Sequence, residues 1–195
     1  MAKTENGKSD ARPTLILIDG YGLIFRAYHA LPPTLTTAAG EQVNAVFGFA
    51  SMLLDTFRSQ KPDYAVVALE GGRTFRQDEF EDYKAHRGEM PDDLRNQIGR
   101  VRQLIDVLGI PIEQVDGWEA DDVIGSLSKK CPEAAGVDVV IVTGDSDLLQ
   151  LVGDNVVAVL PGARRFGELR LFQTWIGFDD HEHAEQSGTH FELAE

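Results

Sequence analysis

Short β-rich apolar runs that end in carboxylates constrain this chain more than any other feature. Leu15–Ile18 runs directly into Asp19, and Val139–Val142 is followed closely by Asp145-Ser146-Asp147. A third acidic group, Glu119-Ala120-Asp121-Asp122, follows Val115-Asp116-Gly117-Trp118. Apolar runs of this length are too short for an ordinary helix and read as strands buried on both faces. Strands are expected at Leu15–Ile18, Tyr64–Leu69, Ile110–Glu113, Val137–Val142 and Val156–Leu160. Between them, spacing of three and four predicts helices at Gly20–Ala30, Val43–Phe57, Leu94–Leu108 and Glu119–Lys130, with a short one at Asp147–Leu151. That alternation predicts an α/β fold: a twisted, mainly parallel five-strand sheet with helices on both faces.

In such a sheet, ligands bind outside the carboxyl ends of the strands, so the three acidic groups are expected to converge there. Two carboxylates about 4 Å apart repel by roughly 4 kcal/mol at an effective dielectric near 20. A cluster of six or more is tolerable only when protons or metal ions neutralise it. Hard oxygen ligands suit Mg²⁺ or Mn²⁺, so the expectation is a divalent-metal site. Taken singly, each motif has a plainer explanation. Asp19 could cap a helix, Glu119 to Asp122 could be ordinary acid enrichment in a first turn, and Asp145 could be another cap. Their shared position at strand ends of one sheet favours the metal.

The net charge of −14 argues against a nucleic-acid partner until its distribution is examined. Residues 179–195 carry Asp179, Asp180, Glu182, Glu185, Glu192 and Glu195 and no Lys or Arg. Those six acids and the seven of the proposed metal cluster, with Glu70 included, match all but one unit of the net charge of −14. The remainder is nearly neutral, so a DNA substrate is compatible with the composition. Residues 1–13 are expected to be a disordered leader and 173–195 a disordered acidic tail. No apolar run approaches the roughly 20 residues that span a bilayer. A single cysteine, Cys131, excludes an internal disulfide and fits a reducing cytoplasm.

Residues 71–93 differ in kind, being polar, charged and poor in aliphatics, and are expected to form an exposed insertion. Within them runs Phe75-Arg76, then Tyr83-Lys84, then Arg87. Aromatics interleaved with cations suit stacking on bases and pairing with phosphates. A solvated amphipathic helix would show the same pattern.

Together IDGYGLIFRAYHAL, NAVFGFASMLL, FRQDEFEDYKAHR, GWEADDVIGSLSKK and TGDSDLLQLV resemble the 5′-nuclease domains of bacterial DNA polymerase I, within the flap endonuclease (PIN-like) superfamily. The likeness spans about Leu15 to Phe172. It implies a phosphodiesterase using two Mg²⁺ or Mn²⁺ ions on the 5′ ends and 5′ flaps of DNA, with an arch-like insertion near 71–93. It further implies a polymerase domain, or a polymerase in trans, as partner. By position, Asp19, Glu119, Asp121, Asp122, Asp145 and Asp147 match the family's metal-site acids. Lys84 and Arg87 match its active-site cations, with Tyr83 beside them, while Arg26 and Arg76 match phosphate-contacting residues. Glu70 stands where the family usually has aspartate, one methylene shorter. The family also continues into a helix-hairpin-helix region that residues 173–195 do not resemble. Two readings follow: a competent 5′ nuclease, or a DNA-binding module of the same fold with little turnover. A DxD-type phosphatase would need an acid where Tyr21 stands.

Overall fold

The computed structural model describes residues 11–80, 83, 90–161 and 169–172. The leader to residue 10, the tail from 173 and the side chains of Lys84 and Arg87 lie outside the described residues. At the centre is β1 (Thr14–Asp19), parallel to β2 (Tyr64–Ala68) on one side and to β4 (Asp138–Val142) on the other. The strands β3 (Ile112–Glu113) and β5 (Val156–Pro161) extend the sheet in parallel on either flank. These are the five strands that the sequence calls for. A sixth, β6 (Leu169–Phe172), adds antiparallel to β5, giving the order β3-β2-β1-β4-β5-β6.

Alternation along β1 shows why both faces must be covered. Ile16 and Ile18 join the core beneath α1 (Gly20–Ala30), α2 (Asn44–Gln60) and α4 (Asp92–Val107), among them Leu23, Phe49, Leu53, Val101 and Ile105. Leu15 and Leu17 face the other way, onto Val123 and Ile124 of α5 (Ala120–Ala134) and onto Val139, Ile141 and Ala158. Successive side chains of a strand point to opposite faces, so a run of uninterrupted aliphatics is what a two-sided core requires. Polar groups also tie the first layer together. Gln97 donates to Asn44 Oδ1 at 3.0 Å and accepts the Ala45 N–H at 2.8 Å, while Asn44 donates to the carbonyls of Tyr28 and Leu31.

Several helix boundaries shift from expectation: α2 runs on to Gln60, α4 starts at Asp92, and α5 departs furthest. The helix α5 runs past Lys130 to Ala134 with Pro132 inside it. A proline there forfeits one backbone hydrogen bond, and its buried ring offsets part of that loss. Inside the polar stretch 71–93 a short helix, α3 (Phe75–Glu79), starts at Thr74, which forms a capping box with Gln77. Close backbone approach seats that stretch against the sheet, because Gly71 bridges Asp116 and a Cβ there would lie 1.9 Å from the Val115 carbonyl oxygen. Among the described residues no helix is long and apolar enough to cross a membrane.

Candidate active site at the carboxyl edge of the sheet

The strand order turns in opposite directions from β1, toward β2 and β3 on one side and β4 and β5 on the other. A crevice opens at such a crossover, at the carboxyl ends of the strands. Asp19 is the last residue of β1 and sits in it. It caps α1, its Oδ1 accepting the Gly22 N–H at 2.8 Å, and Gly22 leaves room for that carboxylate because a Cβ there would lie 2.0 Å from Asp19 Oδ2. The Thr143 hydroxyl, just past β4, donates to Asp19 Oδ2 at 2.8 Å and accepts the Asp145 N–H at 2.9 Å. Asp145 Oδ1 in turn accepts the Asp147 N–H at 2.9 Å, which starts the short 3₁₀ helix Ser146–Leu151. A continuous polar chain therefore joins β1 to the acids after β4.

Asp19 is buried, and its carboxyl is pushed above the usual aspartate range. Desolvation is the main cause, and the negative charges of Asp145 and Glu70 add to it. Hydrogen bonds from Gly22 and Thr143 oppose the shift. No cation acts on Asp19 among the described residues.

The second shoulder of the site is built on α5. Glu119 precedes that helix, and its N–H donates to Asp122 Oδ2 at 3.1 Å. Arg76, on α3, grips Asp122 with both guanidinium nitrogens at 2.6 and 2.8 Å and stands 3.9 Å from Glu119. The hydrogen bond to Asp122 raises the arginine pKa further above its already high value. Tyr83 donates its hydroxyl to Glu119 Oε2 at 3.2 Å, and the Thr74 hydroxyl reaches Glu119 Oε1 at 3.5 Å. A cavity of about 450 Å³ opens here, lined by Arg76, Tyr83, Glu119, Asp121, Asp122 and Asp147 among others. A larger one, about 620 Å³, lies at the amino end of β2 between Phe57, Lys61 and Pro111. Asp63 is its one carboxylate and accepts the Thr14 N–H at 2.8 Å, so that cavity carries no comparable chemistry.

The acids thus fall into two linked sets: Asp19 with Asp145 and Glu70, whose charges act on it, and Glu119, Asp121, Asp122 and Asp147 around the cavity. The Asp145–Asp147 contact joins them. As donors they suit a hard divalent ion, and the buried Asp19 beside like charges gains most from one. Among the described residues, however, no three acidic, histidine or cysteine side chains are gathered into a metal cage. The site is an open acidic rim. Arg26, half-buried on α1, lies beside Gly144, whose Cβ position is 3.7 Å from the arginine Cδ, and so points its cation along the same edge. Arg76 and Tyr83 were matched to DNA contacts by resemblance, yet both are engaged with the acids. Sequence reasoning gave Thr143 no role; its signal was a threonine two residues before Asp145, the spacing of a hydroxyl that caps the following turn.

A family model described as the 5′-3′ exonuclease N-terminal, resolvase-like domain matches residues 14–176. The DNA polymerase I of Chloroflexus aurantiacus is 49% identical over 151 residues, covering 77% of this chain and 16% of that protein. The 5′-3′ exonuclease of Aquifex aeolicus is 39% identical over 149 residues, covering 76% of this chain and 51% of that protein. The chain therefore spans about half of that exonuclease and a much smaller share of DNA polymerase I. In fold it is similar to the T5 D15 protein co-crystallised with metal ions, with a TM-score of 0.59 at 19% identity over 78% of this chain and 56% of that one. With most of its length matched, the chain belongs to the family of 5′-3′ exonuclease N-terminal, resolvase-like domains.

Proposed function

We propose that the chain is a divalent-metal-dependent 5′-3′ exonuclease and 5′-flap endonuclease that hydrolyses DNA phosphodiesters in replication and repair, in the bacterial cytoplasm. The observation that carries this reading is the Asp19–Thr143–Asp145 chain at the strand crossover, where a buried carboxylate meets other acids and, among the described residues, no cation. Support also comes from the T5 D15 flap endonuclease, a protein of the same fold determined in complex with DNA and metal ions.

Asp19, Glu70 and Asp145 would hold one Mg²⁺ or Mn²⁺, and Glu119, Asp121, Asp122 and Asp147 a second. When bound, such ions supply Lewis-acid charge and make water acidic enough to be a nucleophile near neutral pH. The protein's own groups do the rest. Thr143 fixes the two carboxylates relative to each other. Arg26 would take a phosphate at the strand edge, and Lys84 and Arg87 would stabilise charge developing on the scissile phosphate. Arg76 and Tyr83 hold the second acidic set in place, and both would contact DNA when those acids are otherwise neutralised. The substrate is the frayed 5′ end of a nicked or flapped duplex, delivered by a polymerase domain or a polymerase in trans.

A second reading, a DNA-binding module with little turnover, is favoured by the Arg76 grip on Asp122 and by Glu70 in place of aspartate. Incubation with a 5′-labelled flap duplex and Mn²⁺ separates the two. The nuclease reading expects product well above that of an Asp145→Asn control. Flap binding without product selects the binding module. Neither binding nor product sinks both.

A further inference from the structure

Trp118 immediately precedes Glu119, which lines the acidic cavity, and 47% of the tryptophan's surface is exposed. Its backbone is pinned: its N–H donates to Val115 O at 3.0 Å, and its carbonyl accepts the Gly71 N–H at 3.1 Å. Its ring leans on Phe75, with centroids 5.1 Å apart and planes at 58°. Phe75 is itself fixed, since its N–H donates to Gly117 O at 2.9 Å and the Arg76 guanidinium covers its ring at 4.7 Å. Phe49, in the core, is 0% exposed, whereas Trp118 keeps nearly half of its surface open. Trp118 is held rigidly and left open.

We propose that Trp118, braced by Phe75, is a stacking platform for an unpaired base at the 5′ end of a DNA strand. The inference rests on the nuclease reading and adds a substrate-positioning residue to it. Attack on a phosphodiester at the rim requires the adjoining nucleotides to be unpaired, which frees their faces. Every base has such a face, so a platform of this kind serves any sequence. A pre-ordered tryptophan gives that area with little entropy to lose, because its neighbours already fix it. A base on Trp118 would set the backbone next to it over Glu119, Asp121 and Asp122. Trp118 touches no reacting atom and acts by orienting the strand.

The test uses the full chain carrying Trp175→Phe and Asp145→Asn, which leaves Trp118 as its one tryptophan and prevents turnover. The probe is a hairpin duplex with a 5′ overhang of thymidines, and its partner has abasic residues in that overhang. The thymidine overhang is expected to quench Trp118 emission about twofold, and the abasic one to leave it unchanged. In the active chain, Trp118→Ala is expected to raise KM about tenfold, equivalent to about 1.4 kcal/mol, with kcat held within about twofold. Trp118→Phe should restore KM to within about threefold of the parent. The proposal is overturned by overhang binding, seen as anisotropy of labelled DNA, with Trp118 emission unchanged, or by equal quenching from the abasic probe. Equal loss of kcat in both variants would mark Trp118 as a structural brace and overturn it too. DNA neither bound nor cut by the unmodified chain would instead remove the nuclease reading itself.

Discussion

Asp19 and Asp122 are carboxylates at the same edge of one sheet, yet among the described residues Asp122 meets a guanidinium and Asp19 meets none. Arg76 holds Asp122 through two short hydrogen bonds, with side chains 30% and 19% exposed. Asp19 has hydrogen bonds from Gly22 and Thr143, deeper burial and the charges of Asp145 and Glu70 nearby. One shoulder of the site has a protein counter-charge built in. On the other, no cation acts on Asp19 among the described residues, and a proton or an added cation would relieve its charge. Asp19 caps α1, and its burial beside like charges is the feature that a bound cation would relieve.

The largest expected effect breaks the contrast at its charged end. Asp19→Asn keeps an acceptor for Gly22 and lets the Thr143 hydroxyl accept instead of donate, so the fold survives. Cleavage of a 5′-flap duplex should fall about 10³-fold, equivalent to about 4 kcal/mol in the activation barrier. In chelator at neutral pH the same variant should melt no lower than the parent, because a buried charge has gone. Thermal melts beside the cleavage assay check both halves, and a large loss of stability would contradict the account.

How far this site could be read in the sequence is clearest at Asp19 and Arg76. Asp19 follows an unbroken aliphatic run and precedes helical spacing, so both its place on β1 and its position in the crevice were legible. The helix Gly20–Ala30 was also bounded as it stands in the structure. Arg76 was legible only as a cation in a polar stretch. Its pairing with Asp122 spans 46 residues and depends on how Gly71 seats that stretch against Val115. Periodicity carries no information about such a contact. The same limit applies to β6, whose antiparallel placement is set by its partner β5, and to Thr143, whose worth lies in joining two strands distant in sequence.

The next effect sharpens the comparison by cutting that joint. Thr143→Val leaves the Asp145 N–H and one Asp19 oxygen without their shared partner in a fully buried position. A loss of about 2 kcal/mol in stability is expected, or about 6 °C in melting temperature, with cleavage reduced about tenfold. Arg76→Met probes the opposite shoulder. The pair is partly exposed, so its removal should cost only about 1 kcal/mol in a chelator melt. Added Mg²⁺ should then stabilise the variant more than the parent, because the acids it neutralises have lost their arginine. Equal Mg²⁺ gains in the two proteins would blunt the contrast.

The smallest effect is one of pH. The folded-state pKa of Asp19 is raised above the ordinary 3.8. The folded protein therefore holds that proton more tightly than the unfolded chain, and the contribution is favourable at low pH. It is lost as pH rises from the ordinary value through the raised one. In chelator, melting temperature should show this decline in the parent and not in Asp19→Asn, and saturating Mg²⁺ should abolish it.

The central claim is that the shoulder built on the buried Asp19 is a cation site. Anomalous diffraction from crystals soaked in Mn²⁺ tests it most directly. The account predicts an ion bound by Asp19 together with Asp145 or Glu70, and its absence from Asp19→Asn crystals. Manganese peaks confined to other surfaces, with the acidic rim unchanged, would contradict it.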